Sequence, residues 1–275
     1  MGEMSGAGLQ GKRVVVTRAA EQNADLVRAL RDKGAAPIAL PLVAFAPSDH
    51  LAEFDQAIRG LPKFDWIFLT SQNALRALEE RCQALHQELH SAVGTARVAA
   101  VGPATAEAAK AAGLPVSYVA TKHQGMSLAQ ELASQIRGKR VFVPRSDRAN
   151  PDLTRELTRL GAKVEEVVAY KTIPPEEDAL GHVRATLQQP VDAILFFSPS
   201  AVRHLQDILG NEKVLELSGR AIFAAIGPVT ERALREAKVE RVLLAEDTTV
   251  TSVIATLEHH FTIACSGLSA GVKPG

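Results

Sequence analysis

Cysteine is scarce in this sequence: only Cys82 and Cys265 occur, far apart and outside any close Cys or Cys/His spacing. That argues against a disulfide scaffold and against a zinc site, and a reducing compartment fits best. An excess of one charge is also missing, since Lys+Arg and Asp+Glu each number 31. No net field draws the molecule to nucleic acid or anionic lipid, so any anion it binds must be held locally. No apolar run approaches the roughly 18 residues of a membrane span, and the start MGEMSGAGLQ has neither the basic nor the apolar region of a signal peptide. The expectation is a cytoplasmic protein with no nucleic-acid and no membrane partner. Familiar catalytic signatures are lacking too. No G-x-G-x-x-G follows a strand-like run, no Walker A sequence occurs, no G-x-S-x-G elbow joins a strand-like run to a helical one, and H-E-x-x-H is absent. A nucleotide cofactor, serine hydrolysis and zinc catalysis all lose support, and neither metal nor cofactor is expected. The eight histidines, among them His86, His90, His204, His259 and His260, fall mostly in helical stretches and read as surface or packing residues.

What is present is ordinary globular material: 46% apolar and 23% charged residues over 275 positions, enough for two modest cores. Residues 1–10 and 263–275 are rich in Gly, Ser and Ala without apolar periodicity, and are expected as frayed tails.

The informative feature is a duplication. GKRVVVTRAAEQNADLVRALRDKGA at Gly11 returns as GKRVFVPRSDRANPDLTRELTRLGA at Gly138, 127 residues later, and Gly34 returns as Gly161. FDWIFLTSQNALRAL at Phe64 returns as VDAILFFSPSAVRHL at Val191 with the same offset. VAAVGPATAEAAKAAG and FAAIGPVTERALREAK align Gly102 with Gly227. Each block is a short β-branched run, a turn and an amphipathic helical stretch. Apolar-all-round strands alternating with helices of this length indicate α/β folding: doubly wound parallel sheets, flavodoxin-like, with ligand loops beyond the carboxyl ends of the strands. PIALPLVAFAP (37–47) and VEEVVAYKTIPP (164–175) are extended segments with prolines at the rim. As crossings between domains, they would make 42–168 one domain and 1–36 plus 174–262 the other, with 37–41 and 169–173 as β-linkers. A simpler split near residue 137 stays open on these grounds alone.

The loops after the strands are the candidate site. They hold Thr17 and Arg18; Thr70, Ser71, Gln72 and Asn73; Gly102, Ala104 and Thr105; Arg145 and Ser146; Ser198, Pro199 and Ser200; and Gly227, Pro228, Val229 and Thr230. Two readings apply. In one, Ser71, Asn73, Thr105, Ser200 and Thr230 serve only as helix caps; in the other, the hydroxyls and free backbone N–H groups bind carboxylates or phosphates at the positive ends of helices. Arg18 and Arg145 occupy equivalent repeat positions and read either as solvated surface arginines or as a pair gripping carboxylates bidentately. Tyr170, one of two tyrosines, lies in the second crossing. It is either hinge packing or a phenol able to donate a proton to a ligand.

In their order, VVVTR, FLTSQNA, VGPATA, AYKT, FFSPSAV and AIGPVT resemble the uroporphyrinogen-III synthase family over roughly residues 11–261. The resemblance implies two flavodoxin-like domains joined by a two-stranded β-ladder, which favours the discontinuous partition. It implies a lyase that converts the linear tetrapyrrole hydroxymethylbilane to uroporphyrinogen III, losing water and inverting ring D. It further implies no cofactor and a small-molecule substrate, and a monomer is expected. Tyr170 matches the tyrosine proposed in that family to assist departure of the hydroxyl. Thr70, Ser71, Thr105, the Ser198–Ser200 loop and Thr230 match its polar cleft residues. Val229 departs from the pattern, because a threonine often stands there. The competing class is a non-enzymatic two-domain module that binds a small anionic ligand.

Overall fold

The computed structural model describes residues 8–122 and 124–269. Among the described residues eleven strands run in chain order: β1 (Arg13–Val16), β2 (Ala36–Ala39), β3 (Ala44–Pro47), β4 (Trp66–Leu69), β5 (Arg97–Ala100) and β6 (Val116–Val119). They continue as β7 (Arg140–Ser146), β8 (Lys163–Ile173), β9 (Ala193–Phe196), β10 (Ile222–Ala225) and β11 (Val242–Leu244). The chain divides into two compact units, one formed by the chain up to Ala44 and from Ile173 onward, the other by Phe45–Thr172. They carry sheets ordered β11-β10-β9-β1-β2 and β3-β8-β7-β4-β5-β6, respectively.

The duplication explains both orders. Taking β7, β8, β4, β5 and β6 as the repeats of β1, β2, β9, β10 and β11, each sheet reads 2-1-3-4-5, the doubly wound flavodoxin-like order. The unit Phe45–Thr172 is therefore a circular permutant of the other, with β3 added beside β8. The chain passes between units at Ala44/Phe45 and Thr172/Ile173, in β3 and β8, which are neighbouring strands. This is the two-stranded ladder. Residues 37–41, expected as a linker, instead place Pro37–Ala39 in β2, because β2 is parallel edge partner to β1 and completes the sheet.

Strand chemistry follows the sheet. Central strands β4 and β9 are buried at every position, as covering on both faces requires. In β4 the side chains alternate between two cores: Ile67 and Leu69 pack with Phe54, Leu75 and Phe142, while Trp66 and Phe68 pack with Leu128, Ile136 and Val143. Glycine is required at two repeated corners. Gly11 and Gly34 have φ of 70° and 80°, and Gly138 and Gly161 have 73° and 89°. These are left-handed conformations that side chains disfavour. In each pair the first N–H bonds the second carbonyl at 2.8 Å, closing the corner between strand 1 and the helix before strand 2.

The tail expectation is corrected at both ends. Leu9 is fully buried among Val14, Leu26 and Leu257. The C-terminal helix runs Val250–Ser269, with no proline to stop it before Pro274. Residues 1–7 and 270–275 lie outside the described residues. Among the described residues no helix is long and apolar enough to cross a membrane.

A duplicated clamp joins distant segments at the amino ends of the sheets. Asp192 accepts from the Arg13 backbone N–H at 2.8 Å and from Lys12 Nζ at 3.0 Å. Its repeat, Asp65, accepts from the Arg140 N–H at 2.8 Å and Lys139 Nζ at 3.1 Å. Asp192→Ala leaves the start of β1 without its charged acceptor and should lower stability by about 1–3 kcal/mol, as for loss of a hydrogen bond to a charged group. An unchanged urea unfolding midpoint would show the clamp to be inert.

Candidate functional site

In sheets of this order, ligands bind beyond the carboxyl ends where strand order reverses. Here those points lie between β1 and β9 in one unit and between β7 and β4 in the other. The loops that leave them carry Arg18, Ser198 and Pro199, and Ser146, Thr70 and Ser71.

In the unit Phe45–Thr172, the phenol of Tyr170 lies 3.1 Å from Ser71 Oγ. The Tyr170 ring meets Phe45 edge-on, with centroids 5.6 Å apart. Ser71 caps the helix Gln72–Ala84 by accepting from the Ala74 N–H at 3.1 Å. Gln72 Nε2 donates to the Ala104 carbonyl at 3.1 Å, tying the loop after β4 to that after β5. Burial pushes the Tyr170 phenol above its ordinary value; hydrogen bonds from the Ser71 and Asn73 side chains oppose the shift, and the nearby Asp147 charge adds to it. Tyr118, the other tyrosine, is also raised, chiefly by its hydrogen bond to Glu131.

Several candidate side chains turn inward. Thr17 is fully buried and its hydroxyl donates to the Leu195 carbonyl at 2.8 Å, so this hydroxyl holds β1 to β9 and does not face a ligand. Thr105, Ser200 and Thr230 are buried at 7%, 7% and 4% exposure, in the first turns of their helices where that face packs on the sheet. What those turns present is backbone. The helices Pro103–Ala111 and Pro228–Glu236 start at Gly102 and Gly227 with no side-chain cap; each opens on a proline and the Thr230 N–H donates to the Gly227 carbonyl at 3.1 Å, so the Ala104 and Val229 N–H groups are the ones a ligand anion could take. A Cβ at Gly227 would meet Thr248 Cγ2 at 2.6 Å, so the Thr248 side chain would have to give way to any larger residue there. Ser198 repeats the Ser71 cap, accepting from the Ala201 N–H at 3.3 Å. Capping is therefore a real role of both serines. Pro228 and Val229 are exposed, Val229 at 63%.

The two arginines do not behave alike. Arg18 donates to Gln22 Oε1 at 3.1 Å and stacks over Phe197 at 5.6 Å from the ring centroid. Burial pulls its guanidinium below its usual value, partly offset by Asp25. Arg145 is already committed: it pairs with Glu166 at 2.7 Å and donates to the Ser146 carbonyl at 2.9 Å. The two equivalent positions therefore differ in surroundings: Glu166 on the adjacent strand pairs with Arg145, whereas the repeat position of Glu166 is Ala39. Ser146 joins a network that sequence reasoning missed. Its Oγ donates to Asp147 Oδ1 at 3.0 Å and lies 3.0 Å from Thr172 Oγ1, while Asp147 Oδ1 also accepts from the Thr172 N–H at 2.9 Å. Thr172 was findable, since it stands two residues beyond Tyr170 on one strand.

The family model described as Uroporphyrinogen-III synthase HemD matches residues 9–255. The chain belongs to the uroporphyrinogen-III synthase family. A uroporphyrinogen-III synthase of Synechococcus elongatus is 31% identical over 91% of this chain and 96% of its own. A putative uroporphyrinogen-III synthase of Methanothermobacter thermautotrophicus is 30% identical over 89% and 96%. Among solved structures, a mutant uroporphyrinogen III synthase from the extremely thermophilic bacterium Thermus thermophilus aligns with TM-score 0.60 and 23% identity over 94% of this chain and 100% of its own. The uroporphyrinogen-III synthetase from Helicobacter pylori gives 0.63 and 16% over 92% and 99%. At those identities the two structures speak for the fold alone, and they agree with the two-sheet α/β architecture described above.

Both phenols are shifted upward, so absorbance at the tyrosinate band should be lower in the folded protein at pH 10 than in the chain unfolded at the same pH. A raised folded-state pKa supplies stability that is complete below about pH 10 and is lost as pH climbs through the folded value. A folded protein that titrates both tyrosines at the unfolded value would contradict this.

Proposed function

We propose that this chain catalyses the cyclisation of hydroxymethylbilane to uroporphyrinogen III, acting as a cytoplasmic monomer without a cofactor. Membership of the uroporphyrinogen-III synthase family along nearly the whole chain supports the reaction. The observation that carries the site is the Tyr170 phenol against Ser71 at the carboxyl edge of its sheet.

The chemistry asks little of the protein in bond breaking. Loss of hydroxyl from an electron-rich pyrrole leaves a resonance-stabilised azafulvene cation, and the departing oxygen takes up a proton to leave as water. Ser71 Oγ already accepts from the Ala74 N–H, so in this reading it donates its own proton to the Tyr170 oxygen, and the phenolic proton is left to point at the departing hydroxyl. The raised pKa keeps that proton in place at neutral pH. Orientation is the harder task, because cyclisation without inversion of ring D competes. The uncapped first turns at Gly102–Thr105 and Gly227–Thr230, the exposed Pro228 and Val229, and Arg18 on its Phe197 platform are the groups we assign to the acetate and propionate arms. Ser146, Thr70 and Gln72 belong to the same sheet edge as Tyr170, and Ser198 and Pro199 to the same edge as Arg18. Ala104 contributes its main chain.

Tyr170→Phe removes only the hydroxyl and keeps the ring against Phe45. The rate of type III isomer formation should fall by about 10²-fold, near the lower end of general-acid effects, with an unchanged unfolding midpoint. A folded variant at wild-type rate would remove Tyr170 from the chemistry. If the native protein yields only the type I isomer at the uncatalysed rate, as judged by chromatography, the reaction itself is wrongly assigned.

Arg18→Ala should raise KM by about tenfold while kcat changes less, in keeping with loss of one charge-assisted contact of about 1.5 kcal/mol made equally in ground and transition states. That increase should shrink in high salt. An unaltered KM at low ionic strength would make Arg18 a surface residue.

A further inference from the structure

We propose that Asp147 is a positioning residue for Tyr170, its carboxylate holding the bulged end of β8 so that the phenol lands on Ser71; this rests on the reading of Tyr170 given above.

The ladder between β7 and β8 is regular from Arg140 opposite Lys163 to Arg145 opposite Val168, and then Ser146 faces Tyr170. Ala169 is the extra residue of a bulge. Bulges re-aim the side chains that follow them. Burial along β8 records the turn independently: Val167 and Ala169 are buried on one alternation, and the next buried residue is Thr172, on the other. Ala169 and Tyr170, neighbours that a regular strand sends to opposite faces, both pack against the cluster containing Phe142 and Leu75. Without the bulge the phenol would leave that face, and Ser71 with it.

A bulge at a strand end needs something to hold it, and β7 stops at Ser146. The next residue supplies the closure. The Asp147 N–H donates to the Tyr170 carbonyl at 3.1 Å, and the Asp147 carboxylate takes the Thr172 N–H at 2.9 Å, where a continuing strand would have offered a backbone carbonyl. Ser146 Oγ bridges that carboxylate and Thr172 Oγ1, both at 3.0 Å. The two contacts bracket Lys171, so the chain leaving Tyr170 is pinned by one residue. Other charges at this end of β8 are paired: Arg148 lies 3.5 Å from Asp147, and Lys171 pairs with Asp49 at 2.7 Å. The other unit has no such device. Ala19 and Ala20 stand at the repeat positions of Ser146 and Asp147, Val43 at that of Tyr170, and the register of β1 with β2 is unbroken.

The test compares Asp147→Ala with Asp147→Asn in the full chain. The amide oxygen of asparagine can still accept the Thr172 N–H, so Asn should hold type III formation within about threefold of wild type, while Ala lowers kcat by about ten- to hundredfold with little change in KM. In a Tyr170→Phe background, Asp147→Ala should cost no further rate, because the hydroxyl it positions is gone. Losses that simply add would mean a general structural role and overturn the proposal. A second readout is independent of activity. With Tyr118→Phe, tyrosinate absorbance reports Tyr170 alone; both Asp147 variants lose the neighbouring charge, but Ala should titrate lower than Asn because only Ala frees the strand end. If Ala and Asn titrate together, Asp147 does not hold the phenol, whatever the rates. If Tyr170→Phe is fully active yet Ala still titrates below Asn, the assignment of Tyr170 to the chemistry fails and the positioning role survives.

Discussion

The parallel pairing of β1 with β9 is the constraint on which the molecule depends. These strands are almost 180 residues apart, and Val14, Val15 and Val16 lie in register with Ala193, Ile194 and Leu195 at the centre of their sheet. A central strand that arrives so early in the chain commits everything between it and its partner to leave and come back. The intervening chain does so through β3 and β8, and in between it builds a complete second sheet. The fully buried Thr17 hydroxyl and the Asp192 clamp fasten the two ends of the same seam. Loop-closure entropy grows only slowly with length, which is why so long an insertion is tolerable once the seam is apolar and paired.

The scaffold is duplicated but its working edges are not. Glycine corners, aspartate clamps and serine caps recur at the same offset in both units, since each serves sheet geometry common to the two. At the carboxyl edges the copies diverge. One carries a stacked arginine, Phe197 and an exposed Val229; the other carries a phenol on Ser71 and, at the end of the same strand, the Ser146, Asp147 and Thr172 network. The repeat thus preserves its backbone constraints while exchanging its edge side chains.

The alternation of β-branched runs with amphipathic helices made the fold class legible, and the Gly11/Gly34 and Gly138/Gly161 pairs announced the duplication because few residues accept those angles. The site was only half legible. In a strand buried on both faces no polar alternation tells inward from outward, so Thr17 read the same as Thr70. The partner of Arg145 is Glu166, on a neighbouring strand 21 residues along, and its proximity follows from register, which a local reading does not give. The bulge at Ala169 left no Gly or Pro to mark it. Val167, Ala169 and Thr172 show it only once their burial is known.

The circular permutation has a consequence for the order in which the protein is made. As the chain emerges from the amino end, residues 45–172 supply every strand of their own sheet within one continuous stretch, so that unit can close as soon as β8 is complete. The first 44 residues have no such option. Until β9 and β10 are synthesised, β1 has only the four-residue edge strand β2 beside it, and Leu9, Leu26 and Leu30 lack the carboxyl-terminal helix that covers them. The amino-terminal segment must wait with one edge of β1 open and its apolar side chains uncovered until those later strands are made, which makes it the stretch most exposed to misassociation.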